Sequence, residues 1–150
     1  MKIYIIHDEK LKERRESIEK QIEKHKFTDV EWVTDFPVDH PIIKTIKSPL
    51  PPGYISCNLK HYEAMRRMCE DNIPEAIIFE DDVYISEIFD ISHIPRYIPM
   101  VSLGKGIYPR CSTKLHTDLN NMGSEAYYVK REFAEKFIEN INIQWTIDIE

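Results

Sequence analysis

Apolar positions in this chain fall into short runs with sharp ends. Lys2 to Ile6 is β-branched and aromatic and reads as a buried first strand. It breaks at His7-Asp8. From about Glu9 to Lys26 the pattern changes to helical spacing, with Leu11, Ile18 and Ile22 on one stripe and charges elsewhere. Val30 to Val33 reads as a second strand, so strand, helix and strand form a parallel βαβ unit. Asp35 to Tyr54 carries Pro37, Pro41, Pro49, Pro51 and Pro52 and reads as one long loop. Ser56 offers an N-cap for a helix to about Asp71, with Leu59, Tyr62, Met65 and Cys69 inward.

After Asn72-Ile73-Pro74 comes the segment that carries chemistry. Ala76-Ile77-Ile78-Phe79 is a continuous apolar run, as expected of a strand buried on both faces. It leads directly into Glu80-Asp81-Asp82. Three adjacent carboxylates repel one another unless a cation or strong donors sit among them. The carboxyl ends of strands in open α/β sheets are also where ligands bind. A period of two places Glu80 and Asp82 on one side and Asp81 on the other. Oxygen ligands on one side suit Mg2+ or Mn2+. A solvated turn is the competing reading of these three residues.

Farther along, Ile85 to Phe89 predicts a short helix or edge segment, and Met100 to Leu103 a strand. Gly104 to Gly123 is a second long loop, carrying Lys105, Arg110, Lys114 and His116. Glu125 to Val129 reads as a strand. Arg131 to Asn140 reads as a helix with Phe133, Ala134, Phe137 and Ile138 inward. Trp145 to Ile149 begins another strand. Ending there, the chain reads as one domain, 1–150, and a strand begun so near its last residue suggests truncation at the C-terminus.

Composition narrows the function classes. A formal net charge of -6 offers no bulk electrostatic case for nucleic acid. No apolar run approaches membrane-spanning length, and Met1 to His7 turns polar too soon for a signal peptide. Cys57, Cys69 and Cys111 are odd in number and widely spaced, which predicts reduced thiols and a cytoplasmic location. A receiver-domain reading of the acidic run is rejected, because there the acidic pair follows the first strand.

Several segments together resemble glycosyltransferase family 25. Ile3-Tyr4-Ile5-Ile6-His7 with Arg14 is similar to an "Ile-Asn-Leu…Arg" opening. Ile55-Ser56-Cys57-Asn58-Leu59-Lys60-His61 is similar to "Gly-Cys-x-x-Ser-His", and Ala76 to Val83 to "Leu-Ile-x-Glu-Asp-Asp". Gly123 to Arg131 resembles "x-Ala-Tyr-x-x-Ser-Arg", and Ile147-Asp148 a following "Val-Asp". The family includes lipooligosaccharide and collagen hydroxylysine galactosyltransferases. His7 stands in place of Asn and Lys60 in place of Ser.

The resemblance implies an α/β, GT-A-like fold with a mostly parallel central sheet flanked by helices. It implies an inverting, metal-dependent transfer of galactose or glucose from a UDP-sugar to a glycan or a collagen-like hydroxylysine. Mn2+ or Mg2+ would sit on Asp82 and Glu80. His7, Arg14, His61, Glu80 and Asp81 would contact the donor, Asp81 also orienting the loop. For metal-dependent UDP binding, replacement of Asp81 is expected to be milder than replacement of Asp82, because alternation turns Asp81 away from Glu80 and Asp82. Asp148 is the expected base for the acceptor hydroxyl, ahead of Glu150. The alternative is a noncatalytic nucleotide- or sugar-binding remnant of that fold.

Overall fold

The computed structural model describes residues 1–103 and 125–140. In chain order its elements are β1 (Lys2–Ile6), α1 (Lys12–Lys24), β2 (Val30–Val33), α2 (Pro41–Thr45), α3 (Pro52–Glu70) and β3 (Glu75–Glu80). A 3-10 turn (Ile91–His93), β4 (Met100–Ser102), β5 (Ala126–Lys130) and α4 (Arg131–Asn140) complete it.

The strands form one five-stranded sheet in the order β2-β1-β3-β5-β4. β1 is parallel to both β2 and β3, with Ile6 opposite Val33 and Glu80. β5 runs antiparallel to β3, and β4 antiparallel to β5. The sheet is therefore mixed, not mostly parallel. The reason is that β5 is buried from Ala126 to Val129. A buried strand reads as an apolar run whichever way it points.

Alternation divides the core between the two faces. Tyr4, Ile6, Ala76 and Ile78 pack with Ala64, Met65 and Met68 of α3 and Ala134 of α4. Ile3, Ile5, Ile77 and Phe79 pack with Ile18 of α1 and with Ile85 and Ile94. Burial of each large apolar side chain is worth about 1.5–3 kcal/mol. Leu11, expected on the inner stripe of α1, precedes the helix and is exposed.

Three expectations along the chain are corrected. The segment from Asp35 to Tyr54 is not all loop, because α2 and the start of α3 lie within it. Pro41 and Pro52 occupy the first helical position, where a missing N–H costs no helical bond. Ser56 is inside α3 and not its cap; its hydroxyl donates to the Phe36 carbonyl at 2.7 Å. Residues 85–89 form neither helix nor strand. The loop between β2 and α3 has its own small core of Ile43, Ile55 and Leu59, with Phe36, Ile46 and Leu50 against it. The predicted strand from Trp145 to Ile149 and the loop from Gly104 to Gly123 lie outside the described residues. Among those described, no helix is long and apolar enough to cross a membrane.

Candidate functional site

The C-terminal ends of β1 and β3 lie side by side, so His7 follows Ile6 just where Asp81 follows Glu80. His7 is buried and its Nδ1 lies 2.7 Å from Asp81 Oδ2. Its ring meets Trp32 edge-on, with centroids 5.3 Å apart. The Arg15 guanidinium lies over the Trp32 ring, 3.3 Å from its centroid. Arg14 lies four residues before the buried Ile18, which sets both on the sheet side of α1. Its Nη1 donates to Asp81 Oδ1 and pairs with Asp82 Oδ2, each at 2.9 Å. The hydrogen bond to Asp81 strengthens the hold of Arg14 on its proton, against some cost of burial, and Asp82 and Glu80 add to it.

Alternation correctly separates Glu80 from Asp81 but misplaces Asp82. β3 ends at Glu80 and the chain turns at Asp81-Asp82, so the period of two stops there. Asp82 comes round to Arg14, on the Asp81 side. Gln21 of α1 holds the outgoing chain: its Nε2 donates to the Val83 carbonyl at 3.0 Å and its Oε1 accepts from Ile85 N–H at 2.6 Å. That clamp has no signature in the sequence, since Gln21 sits among solvated helix residues.

Glu80 faces α3. Its Oε1 lies 3.2 Å from Nε2 of His61, which is fully buried, and Nδ1 of His61 lies 2.9 Å from the Tyr127 hydroxyl of β5. Cys57, one helical turn before His61, brings its thiol to the same place. Lys60 is buried too, at 3% exposure, with Nζ 2.7 Å from Ser56 Oγ and 3.5 Å from the Phe36 carbonyl. Burial pushes its pKa below the ordinary lysine value, partly offset by Asp8 and Asp81 among others. Both Lys60 and Ser56 thus hold Phe36, whose φ of 52° is unusual for a residue with a side chain. Cys57 and His61 were detectable in the sequence by their i, i+4 spacing; the burial of Lys60 was not.

His7, Arg14, His61, Glu80, Asp81 and Asp82 are thus brought to one end of the sheet. Asp148, Glu150 and the basic residues Lys105, Arg110, Lys114 and His116 lie outside the described residues. The donors suit a hard cation unequally. The Asp82 carboxylate is 43% exposed and pairs with the half-exposed Arg14, so it fits Mg2+ or Mn2+ with water completing the shell. Asp81 fits poorly, because His7 and Arg14 engage both of its oxygens.

A family model described as "Glycosyltransferase family 25 (LPS biosynthesis protein)" matches residues 1–94. The match spans β1 through the acidic turn and so contains every described site residue except Tyr127. No curated protein matches the chain.

Proposed function

We propose that this chain, which belongs to glycosyltransferase family 25, moves galactose or glucose from a UDP-sugar to a glycan or hydroxylysine-type hydroxyl with inversion, on a GT-A-type fold. The observation that carries this reading is the acidic turn after β3. There Asp81 is locked by His7 and Arg14, and Asp82 is left half-exposed beside a guanidinium.

In this reading Asp82 holds Mn2+ or Mg2+, while Glu80, expected beside it as the second ligand, leaves on the other face of β3 toward His61. When bound, the cation neutralises the charge that grows on the departing UDP. Asp81 keeps Arg14 at the turn. Arg14, half-exposed, exchanges Asp82 for a phosphate oxygen. His7 is buried, so we assign it the task of fixing Asp81 and not contact with the base. His61 holds Glu80 in position. An inverting displacement needs a base for the acceptor hydroxyl, and Asp148 keeps that assignment. A cytoplasmic location belongs to the same reading.

The test combines binding and turnover. Mn2+ plus UDP at about a hundred times its dissociation constant is expected to stabilise the protein by about 3 kcal/mol, read as a rise in Tm. Asp82→Ala is expected to lose that shift. With UDP-galactose or UDP-glucose the wild type is expected to release UDP. A wild type without a metal-dependent shift, or an Asp82→Ala variant that keeps it in full, sinks the cation assignment. Binding of UDP without any release of it from UDP-sugars identifies a noncatalytic remnant.

A further inference from the structure

Glu80 faces His61 and Cys57, and the transferase reading uses only His61 of these, as the group that holds Glu80. From them we infer a second cation site, selective for Zn2+-class transition metals and built from Cys57 Sγ, His61 Nε2 and a Glu80 carboxylate oxygen. Ligand atoms of these three residues all lie within 4.8 Å of one another. In a tetrahedral zinc site with bonds of about 2.0–2.3 Å, ligand atoms stand about 3.3–3.8 Å apart. The pair His61 Nε2 and Glu80 Oε1, at 3.2 Å, is already at that spacing. Closing the set takes a movement of about 1 Å, well within the rotamer freedom of a half-buried cysteine or glutamate.

The chemistry of the set differs from that of Asp82. A thiolate and an imidazole favour Zn2+ over Mg2+ or Mn2+. Three protein ligands leave a fourth position open, as in sites where zinc takes water or substrate. The backing of His61 also suits metal. Its Nδ1 is held by the Tyr127 hydroxyl, the outer-shell contact that orients a ligating imidazole. Without metal, an ionised Glu80 can only accept, which puts the proton on Nε2 and leaves Nδ1 to accept from the Tyr127 hydroxyl. On loading, the imidazole carries its proton on Nδ1, the hydroxyl turns to accept it, and the Nε2 lone pair goes to the metal. The Cys57 thiol releases one proton to solvent, so affinity rises with pH. A loaded site ties α3 to the end of β3.

The experiment is a Co2+ titration of the full, reduced chain without nucleotide. The expected result is the strong visible absorption of four-coordinate Co2+ with near-ultraviolet thiolate-to-metal charge transfer, both lost when Zn2+ is added. Cys57→Ser, a near-isosteric change at a half-buried position, should abolish the charge transfer and weaken binding more than about tenfold. Cys69→Ser and Asp82→Ala should keep the full spectrum. Unchanged thermal melting of the cysteine variants, without metal, guards against a folding defect. The site is overturned by a weak six-coordinate spectrum in the wild type, by charge transfer that survives in Cys57→Ser, or by its loss in Asp82→Ala. Neither nucleotide nor sugar enters the assay, so failure of the transferase reading leaves this result untouched.

Discussion

Glu80 and Asp81 are neighbours on the chain, yet they organise two different regions. The Asp81 region is ionic. A buried carboxylate meets His7 on one oxygen and a half-exposed guanidinium on the other, and a second carboxylate, Asp82, shares that guanidinium. The Glu80 region lies against α3 and β5 and gathers an imidazole, a phenol and a thiol. The strand's period of two makes the division possible, since consecutive side chains leave on opposite faces. The difference shows that an acidic run need not be one site. In the proposed reading one face trades an arginine for a cation, while the other holds softer ligand types together.

The largest effect that bears on this comparison is expected from Asp81→Ala. It leaves His7 buried without its carboxylate and releases Arg14. Removing one partner of a buried pair costs about 3 kcal/mol or more, and the exposure of Arg14 brings the expected loss to about 2–3 kcal/mol. Urea denaturation measures it. A loss under about 1 kcal/mol would mean that the ionic region is merely a surface ion pair. On stability of the metal-free protein, then, Asp81 outranks the half-exposed Asp82, whereas on the metal-linked shift Asp82 is expected to matter more.

A smaller effect is expected in the Glu80 region. Tyr127→Phe removes the hydroxyl from His61 Nδ1 and should cost about 1 kcal/mol. It should also weaken Co2+ binding about tenfold through loss of the orienting contact. If stability falls and Co2+ affinity does not, the hydroxyl is structural only.

The smallest effect concerns Lys60, buried on α3 against Ser56 and the Phe36 carbonyl. Its folded pKa is depressed below 10.5 by burial. In the window between that depressed value and 10.5 the unfolded chain binds more protons than the folded one, so wild-type stability rises with pH there. Below the folded pKa the penalty of burying the charge is fully present. Lys60→Met lacks that penalty. The stability difference, wild type minus variant, should therefore rise between neutral pH and about pH 10. Parallel urea titrations at the two pH values read the sign. A falling difference would mean that the fold stabilises the Lys60 charge.

Much of the fold was legible because it rests on local periodicity. Lys2–Ile6 and Val30–Val33 were readable as strands from β-branched and aromatic residues, and Arg131–Asn140 as a helix from its spacing. Ala76 to Phe79 running into three carboxylates marked the site, and Arg14 was singled out by the family's pattern. Strand direction was not legible: β5 lies antiparallel beside β3, and burial on both faces erases the polarity signal. The start of α3 at Pro52 was hidden because proline breaks helices everywhere except at their first turn.

The side-chain partnerships were hidden for a different reason. His7 meets Asp81 across 74 positions, Arg14 meets it across 67, and His61 meets Tyr127 across 66. Sequence by itself determined which residue types stand at the end of each element, because hydrophobic period and turn chemistry act over a few residues. Only the tertiary structure decided which of them meet. It turned Asp82 toward Arg14, closed Lys60 over Phe36 and set Cys57 beside His61 and Glu80. Those contacts depend on strand order and helix placement, which arise from packing of the whole sheet and not from any one segment.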